Sequence, residues 1–206
     1  MKKGNLFLDY DDLLVDSKPV LIQYLNQRYE LNLTLSNYSD NDSLEKVIQE
    51  HRKDLGITFN QAYLDIGHNF HASYEWNMLI KPLEDMPKVL PELAKKYILH
   101  IPTARQKTGY NVLNQMINMH VPGSITSLHC VWEYIKGKGY CDISKRDFIL
   151  SIPGEKVAFI DDSMKEVRRT KDIIPSYNFD RYGVYTTPEE GILKLSSWND
   201  IGEKFL

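Results

Sequence analysis

A chain of 206 residues, 42% apolar and 26% charged, can bury one sizeable core and has the balance of an ordinary soluble globular protein. Its net charge of −3 supplies no bulk attraction to nucleic acid or to an anionic membrane, so neither is an expected partner. Two cysteines, Cys130 and Cys141, offer neither a disulfide framework nor zinc-ligand spacing; they read as reduced thiols of a cytoplasmic protein.

The start, Met1-Lys2-Lys3-Gly4, leaves only Asn5 to Leu8 before an acid cluster, too short for the apolar region of a signal peptide. Leu6-Phe7-Leu8 stops abruptly at Asp9 and predicts a strand buried on both faces. Asp16-Ser17 offers a capping residue, Pro19 suits a first helical turn, and Leu21, Tyr24, Leu25 and Arg28 follow at helical spacing. Asp42 or Ser43 can cap a second helix with Leu44, Val47, Ile48 and Leu55 on its buried face. Phe59, Tyr63, Ile66, Phe70 and Tyr74 form a third stripe. Val89, Leu90, Leu93 and Ala94 form a shorter one, in which Pro91 predicts a late start or a kink.

Two more apolar runs follow. Tyr97 to Ile101 ends at Pro102-Thr103, and Val157 to Ile160 ends at Asp161-Asp162, with a helix marked by Val112, Leu113, Met116 and Ile117 between them. Ser124 to Leu128 and Tyr182 to Tyr185 are weaker strand candidates. Strands alternating with helices predict an α/β fold, a Rossmann-like three-layer core with a mostly parallel sheet. The helical stretch 17–81 exceeds what one crossover needs. It is expected to be a small all-helical cap, inserted into a core made of 1–16 and 82–206.

Asp9, Asp11, Asp12 and Asp16 crowd the loop after the first strand, and like charges gathered there call for a cation or a reaction. Mg²⁺ suits such hard oxygen ligands. In open α/β sheets the carboxyl ends of strands meet at the ligand crevice, so Asp9, Thr103 and Asp161-Asp162 should converge.

Asp9-Tyr10-Asp11, followed by Leu14-Val15-Asp16-Ser17, resembles the first motif of the haloacid dehalogenase superfamily, with Leu13 a less common residue at its place. The resemblance extends to Thr103 as a second motif and to Asp161-Asp162 as a fourth. It implies that Asp9 is a nucleophile and Asp11 a general acid/base. It further implies that Thr103 and the adjacent Ala104 hold the phosphoryl group, and that Asp161 or Asp162 completes a magnesium site with Asp9 and Asp11. For the third-motif lysine, Lys145 is better placed than Lys156 or Lys138.

The function expected is Mg²⁺-dependent hydrolysis of a phosphomonoester through an aspartyl phosphate on Asp9. Asp11 would be kept neutral in the first step by its crowded surroundings, which raise a carboxyl pKa. The substrate class is a small phosphorylated metabolite, with a mild preference for a deoxynucleotide from the aromatic-rich cap. Rivals are a phosphotransferase or dehalogenase on the same scaffold, the latter disfavoured by Asp11, and a catalytically idle binding protein. Arg105 reads equally as substrate-facing or as a surface residue; His68 and His71 read as packing or surface residues. Lys165, Arg168, Arg169 and Lys171 read as a solvated basic face.

Overall fold

The computed structural model describes residues 2–38, 58–135, 139–142 and 144–206. The predicted helix over 44–55 and Lys138 lie outside them.

Seven strands form one sheet: β1 (Asn5–Leu8), β4 (Ile98–Gln106), β5 (Ser127–Ile135), β6 (Gly139–Asp142), β7 (Lys156–Asp161), β8 (Ser176–Phe179) and β9 (Ile192–Leu195). Their order is β6-β5-β4-β1-β7-β8-β9, parallel throughout except for β6, which runs antiparallel at the edge. The central strand β1 shows why continuous apolar runs were needed. Leu6 and Leu8 point into a cluster with Leu90 and Leu93 of α4 (Met86–Lys96) and Trp198, Ile201 and Phe205 of α8 (Trp198–Phe205). Phe7 points the other way, to Phe159, Ile174, and Phe148 and Ile149 of α6 (Lys145–Ser151). Period-two alternation on a strand covered on both faces thus makes three layers.

The remaining helices are α1 (Lys18–Tyr29), α2 (Phe59–Asp65), α3 (Tyr74–Leu79), α5 (Tyr110–His120) and α7 (Met164–Thr170). A two-stranded antiparallel ribbon, β2 (Val15–Asp16) and β3 (Lys81–Pro82), pairs Val15 with Pro82 and Asp16 with Lys81. It closes off the 17–80 stretch, whose described part is helical and loop only.

The expected single stripe Phe59 to Tyr74 is broken. It runs as α2, then as a π-helical turn over Ile66–His71, then restarts at α3, where the Ser73 side chain accepts from the Trp76 N–H. Tyr74 is consequently exposed, while Ile66 and Phe70 stay buried. Pro91 does not delay its helix, which begins at Met86. Tyr182 to Tyr185 is turn and irregular backbone rather than strand, and β8 and β9, which sequence reasoning missed, flank it. β5 begins at Ser127, later than expected. Among the described residues no helix is long and apolar enough to cross a membrane.

Candidate active site

Parallel pairing delivers the acidic residues to one end of the sheet. Leu8 pairs with Ile160, and the Asp9 N–H donates to the Ile160 carbonyl at 3.0 Å, so Asp9 stands level with Asp161. Phe7 pairs with His100; continued by two residues, that register sets Asp9 beside Pro102 and Thr103 one step beyond. The acid pair is braced from β8, where Asn178 Nδ2 donates to the Asp162 carbonyl at 3.0 Å. The Asp161 carboxylate itself accepts from the Ser163 N–H at 2.8 Å.

Lys145, at the start of α6, is 2% exposed and donates to Asp9 Oδ1 at 2.8 Å and to Asp161 Oδ2 at 2.7 Å. A side chain 136 residues from Asp9 in sequence thereby joins the two strand ends. Lys18, at the first position of α1, plays a similar part for Asp12 and Asp162, at 3.7 and 3.6 Å. Asp12 adopts a left-handed backbone (φ 57°), tolerable for aspartate, and its Oδ1 accepts the Lys18 N–H at 3.2 Å. The loop is also held from below: the Trp198 indole N–H donates to the Leu13 carbonyl at 2.6 Å, and Leu13 is fully buried.

Four carboxylates, those of Asp9, Asp12, Asp161 and Asp162, therefore face two ammonium groups. Burial, only partly opposed by Lys145 and reinforced by Asp11, raises the Asp9 pKa. Burial, opposed by Lys145 and reinforced by Asp9, lifts Asp161 to about 7. Asp162 is pushed well up by burial and by Asp12. Asp12 rises to about 6 through burial, against the pull of Lys18. Carboxyl oxygens of Asp9, Asp161 and Asp162 lie within 4.8 Å of one another. Three buried hard oxygen donors, within a set of four carboxylates that faces only two lysines, fit a divalent cation that takes oxygen ligands.

Asp11 differs. Crowding was expected to keep it neutral, but the structure overturns that expectation. Burial does act to raise its pKa, yet the guanidinium of Arg105 outweighs burial by charge and hydrogen bonding and brings it to about 2. Arg105 is fully buried, so the surface reading does not describe it. Its Nε and Nη2 donate to Asp11 Oδ2 and Oδ1, both at 2.8 Å, and its Nη1 donates to Asn77 Oδ1 at 2.5 Å. The guanidinium carbon also lies 4.8 Å from the centre of the Tyr10 ring.

Thr103 is buried, its Oγ1 accepting the Arg105 N–H at 3.3 Å, whereas Ala104 is exposed. Lys156 begins β7, away from the strand ends. Asp16 pairs with Arg181 at 2.6 Å and Ser17 hydrogen-bonds Asp11, so neither side chain caps α1. The basic run is a solvated face as expected, with Arg168 and Lys171 on Glu189 and Arg169 on Glu166.

Sequence reasoning missed Lys18 and Asn77 altogether. Both are polar residues on helices that carry no distinctive motif, and only burial marks them. His71 was read as a packing or surface residue. Burial first, then Arg105, hold it neutral with a pKa near 3, and it lies close enough to Asp11 to feel its charge. Among the described residues, His71 Nδ1 and Tyr10 Oη have no hydrogen-bond partner.

No family model and no curated protein matches the chain. Solved structures do. A predicted phosphatase from Clostridium acetobutylicum is 14% identical, with a TM-score of 0.65 over 99% of this chain and 98% of its own. A candidate hydrolase of the haloacid dehalogenase superfamily from Bacillus subtilis, bound to magnesium, is 10% identical, with a TM-score of 0.60 over 100% and 99%. The L-2-haloacid dehalogenase of Xanthobacter autotrophicus, with chloropropionic acid covalently bound, is 14% identical, with a TM-score of 0.55 over 98% of each chain.

Proposed function

We propose, from the premise that this chain has the haloacid dehalogenase-like fold, that it is a Mg²⁺-dependent phosphomonoester hydrolase acting through Asp9 on a small phosphorylated metabolite. The observation that carries the proposal is the cluster of Asp9, Asp161 and Asp162 at the ends of β1 and β7, which with Asp12 sets four carboxylates against only Lys145 and Lys18. Asp9, Asp161 and Asp162, with the Asp11 carbonyl, would hold Mg²⁺, which when bound supplies charge neutralisation for an anionic substrate.

In the first step an Asp9 carboxylate oxygen bonds to phosphorus as the bond to the ester oxygen breaks. The leaving oxygen takes the electron pair and a proton from Asp11. Water then attacks the aspartyl phosphate, gives its proton to Asp11, and frees Asp9 and inorganic phosphate. Lys145 and Thr103 would orient the phosphoryl oxygens, with Ala104 offering its backbone N–H. Asp11 can carry the proton of the first step only if its pair with Arg105 loosens while substrate is bound. The ionised form favoured by that pair suits the second step.

The 17–81 segment would act as the cap that shields the leaving group from bulk water. Tyr24, Phe70 and Trp76 pack ring against ring with centroids 5.3 to 6.4 Å apart, so these aromatics serve the cap's own core. The mild preference for a nucleotide therefore rests on fewer rings.

Hydrolysis of p-nitrophenyl phosphate by wild type and Asp9→Asn, with and without Mg²⁺, tests the reading. Metal-dependent turnover lost in the variant is expected; turnover equal in both proteins would refute it. Halide release from a 2-haloacid, in place of phosphate release, would favour the dehalogenase alternative.

A further inference from the structure

Beyond the charge-deficient cluster, one group links three parts of the molecule by bonds of defined direction. Asn77, fully buried in α3, donates its two amide hydrogens to the carbonyls of Ser73 at 2.7 Å and Phe70 at 2.9 Å, with the His71 carbonyl a longer, shared acceptor at 3.3 Å. Those bonds fix the rotamer and leave the amide oxygen to accept from Arg105 Nη1. The other edge of the same guanidinium grips both oxygens of Asp11. The route from the cap backbone to the Asp11 carboxylate thus has one side chain at each joint and no exposed member except Asp11, whose side chain is 27% exposed.

We infer that Arg105 is a positioning residue that makes the orientation of the Asp11 carboxylate depend on the seating of α3 through Asn77.

A planar guanidinium is required for this. Two parallel bonds to a carboxylate and a third in the same plane exceed what the point charge of a lysine reproduces. The same end of β4 is held to this segment by independent contacts, so cutting the arginine link need not release it. Gln106 Nε2 donates to the Tyr63 carbonyl at 2.6 Å, and Thr108 Oγ1 to the Gly67 carbonyl at 3.2 Å. Gly67 lies so close that an added Cβ would sit 2.1 Å from the Gln106 amide carbon.

The coupling is independent of any activity, whereas its catalytic consequence rests on the phosphatase reading; two measurements separate them. The first is hydrogen exchange of the α3 amides in Asp11→Asn and Arg105→Lys. Exchange about tenfold faster than in wild type is expected, in keeping with residues that share one network. Exchange within twofold of wild type in both variants would overturn the coupling.

The second compares turnover of p-nitrophenyl phosphate, whose leaving group departs readily without a proton, with that of an alkyl phosphate, whose leaving group needs one. Arg105→Lys and Asn77→Ala should change kcat on the alkyl ester about tenfold relative to that on the aryl ester, because only the alkyl ester draws on the proton of Asp11. An equal fall on both substrates would show a merely structural residue and overturn the positioning role. If wild type hydrolyses neither ester, the phosphatase reading fails, and the exchange result alone decides the coupling.

Discussion

Asp9 and Asp11 stand two residues apart, and the structure surrounds them in opposite ways. Asp9 shares one buried lysine with Asp161, beside an Asp12–Asp162 pair that also shares one lysine. Asp11 has a guanidinium of its own, bonded to both its oxygens. The first region is short of positive charge, which in a folded protein is tolerable when a ligand completes it. The second is matched already and can only be disturbed by what binds. Deficit marks the place for a cation; completeness marks a part that positions something else.

The comparison breaks most sharply at Asp9. Replacing it with Asn removes one of the excess charges and, on the proposed mechanism, the attacking oxygen together. Turnover of a phosphate ester should fall by roughly 10³-fold or more, as when a nucleophile is removed from a catalytic unit. Steady-state assay with saturating Mg²⁺ checks this, because a variant that had lost only metal affinity would recover there.

Lys145 tests the deficit from the other direction. Lys145→Met leaves Asp9 and Asp161 facing each other without their shared cation, and breaking a buried pair in this way costs about 3–5 kcal/mol. Urea unfolding without metal should show that loss. Added Mg²⁺ should restore more stability to the variant than to wild type, since the ion then supplies the missing charge.

How much of this was legible in the sequence follows from what each residue's role depends on. The strand ends could be read because β1 and β7 are buried on both faces and write that as unbroken apolar runs stopping at Asp9 and Asp161. Lys145 could be placed because a lysine opening a helix just before β7 has one nearby end of the sheet to reach. Arg105 was visible as a residue but not as a partner of Asp11, because that pairing joins residues 94 positions apart and forms only once β4 lies beside β1. The same gap misjudged the Asp11 pKa: crowding is a property of sequence, neutralisation a property of the fold. β8 and β9 were missed because four-residue strands such as Ser176–Phe179 carry polar residues in buried places and give no clear period.

Asp162→Asn should reverse the usual sign of a buried substitution. Where pH is high enough to ionise it, removing that carboxylate relieves repulsion from Asp12 and Asp161, so the metal-free protein should gain about 1–2 kcal/mol there while losing its response to Mg²⁺. The pH dependence sharpens this. Asp161 titrates at about 7 when folded against an ordinary value of 3.8, so between those values the folded state binds more protons. Stability of the metal-free wild type must then fall as pH rises from about 4 to 7, and the fall should be shallower in Asp162→Asn. Thermal melts across that range decide the matter; a steeper fall in the variant would contradict the charge count.

The smallest effect belongs to a carboxylate resembling Asp11 in being fully matched, but remote from the strand ends. Asp65 accepts from the hydroxyls of Tyr24 and Tyr29, both at 2.6 Å, from Asn69 at 2.6 Å and from Arg28 at 3.2 Å. Burial tends to raise its pKa, but the tyrosine hydroxyls and the other donors bring it below the ordinary value. Its contribution is therefore present above about pH 4 and lost as pH falls through the depressed folded value. Asp65→Asn keeps an acceptor but loses the charge, so it should cost about 1 kcal/mol at neutral pH and little in acid. If matched carboxylates serve only to hold structure, this variant melts slightly earlier, yet its Mg²⁺ response and its ratio of aryl to alkyl ester turnover stay at wild-type values. A change in that ratio would mean that the 17–81 segment reaches Asp11 by a route other than Asn77 and Arg105.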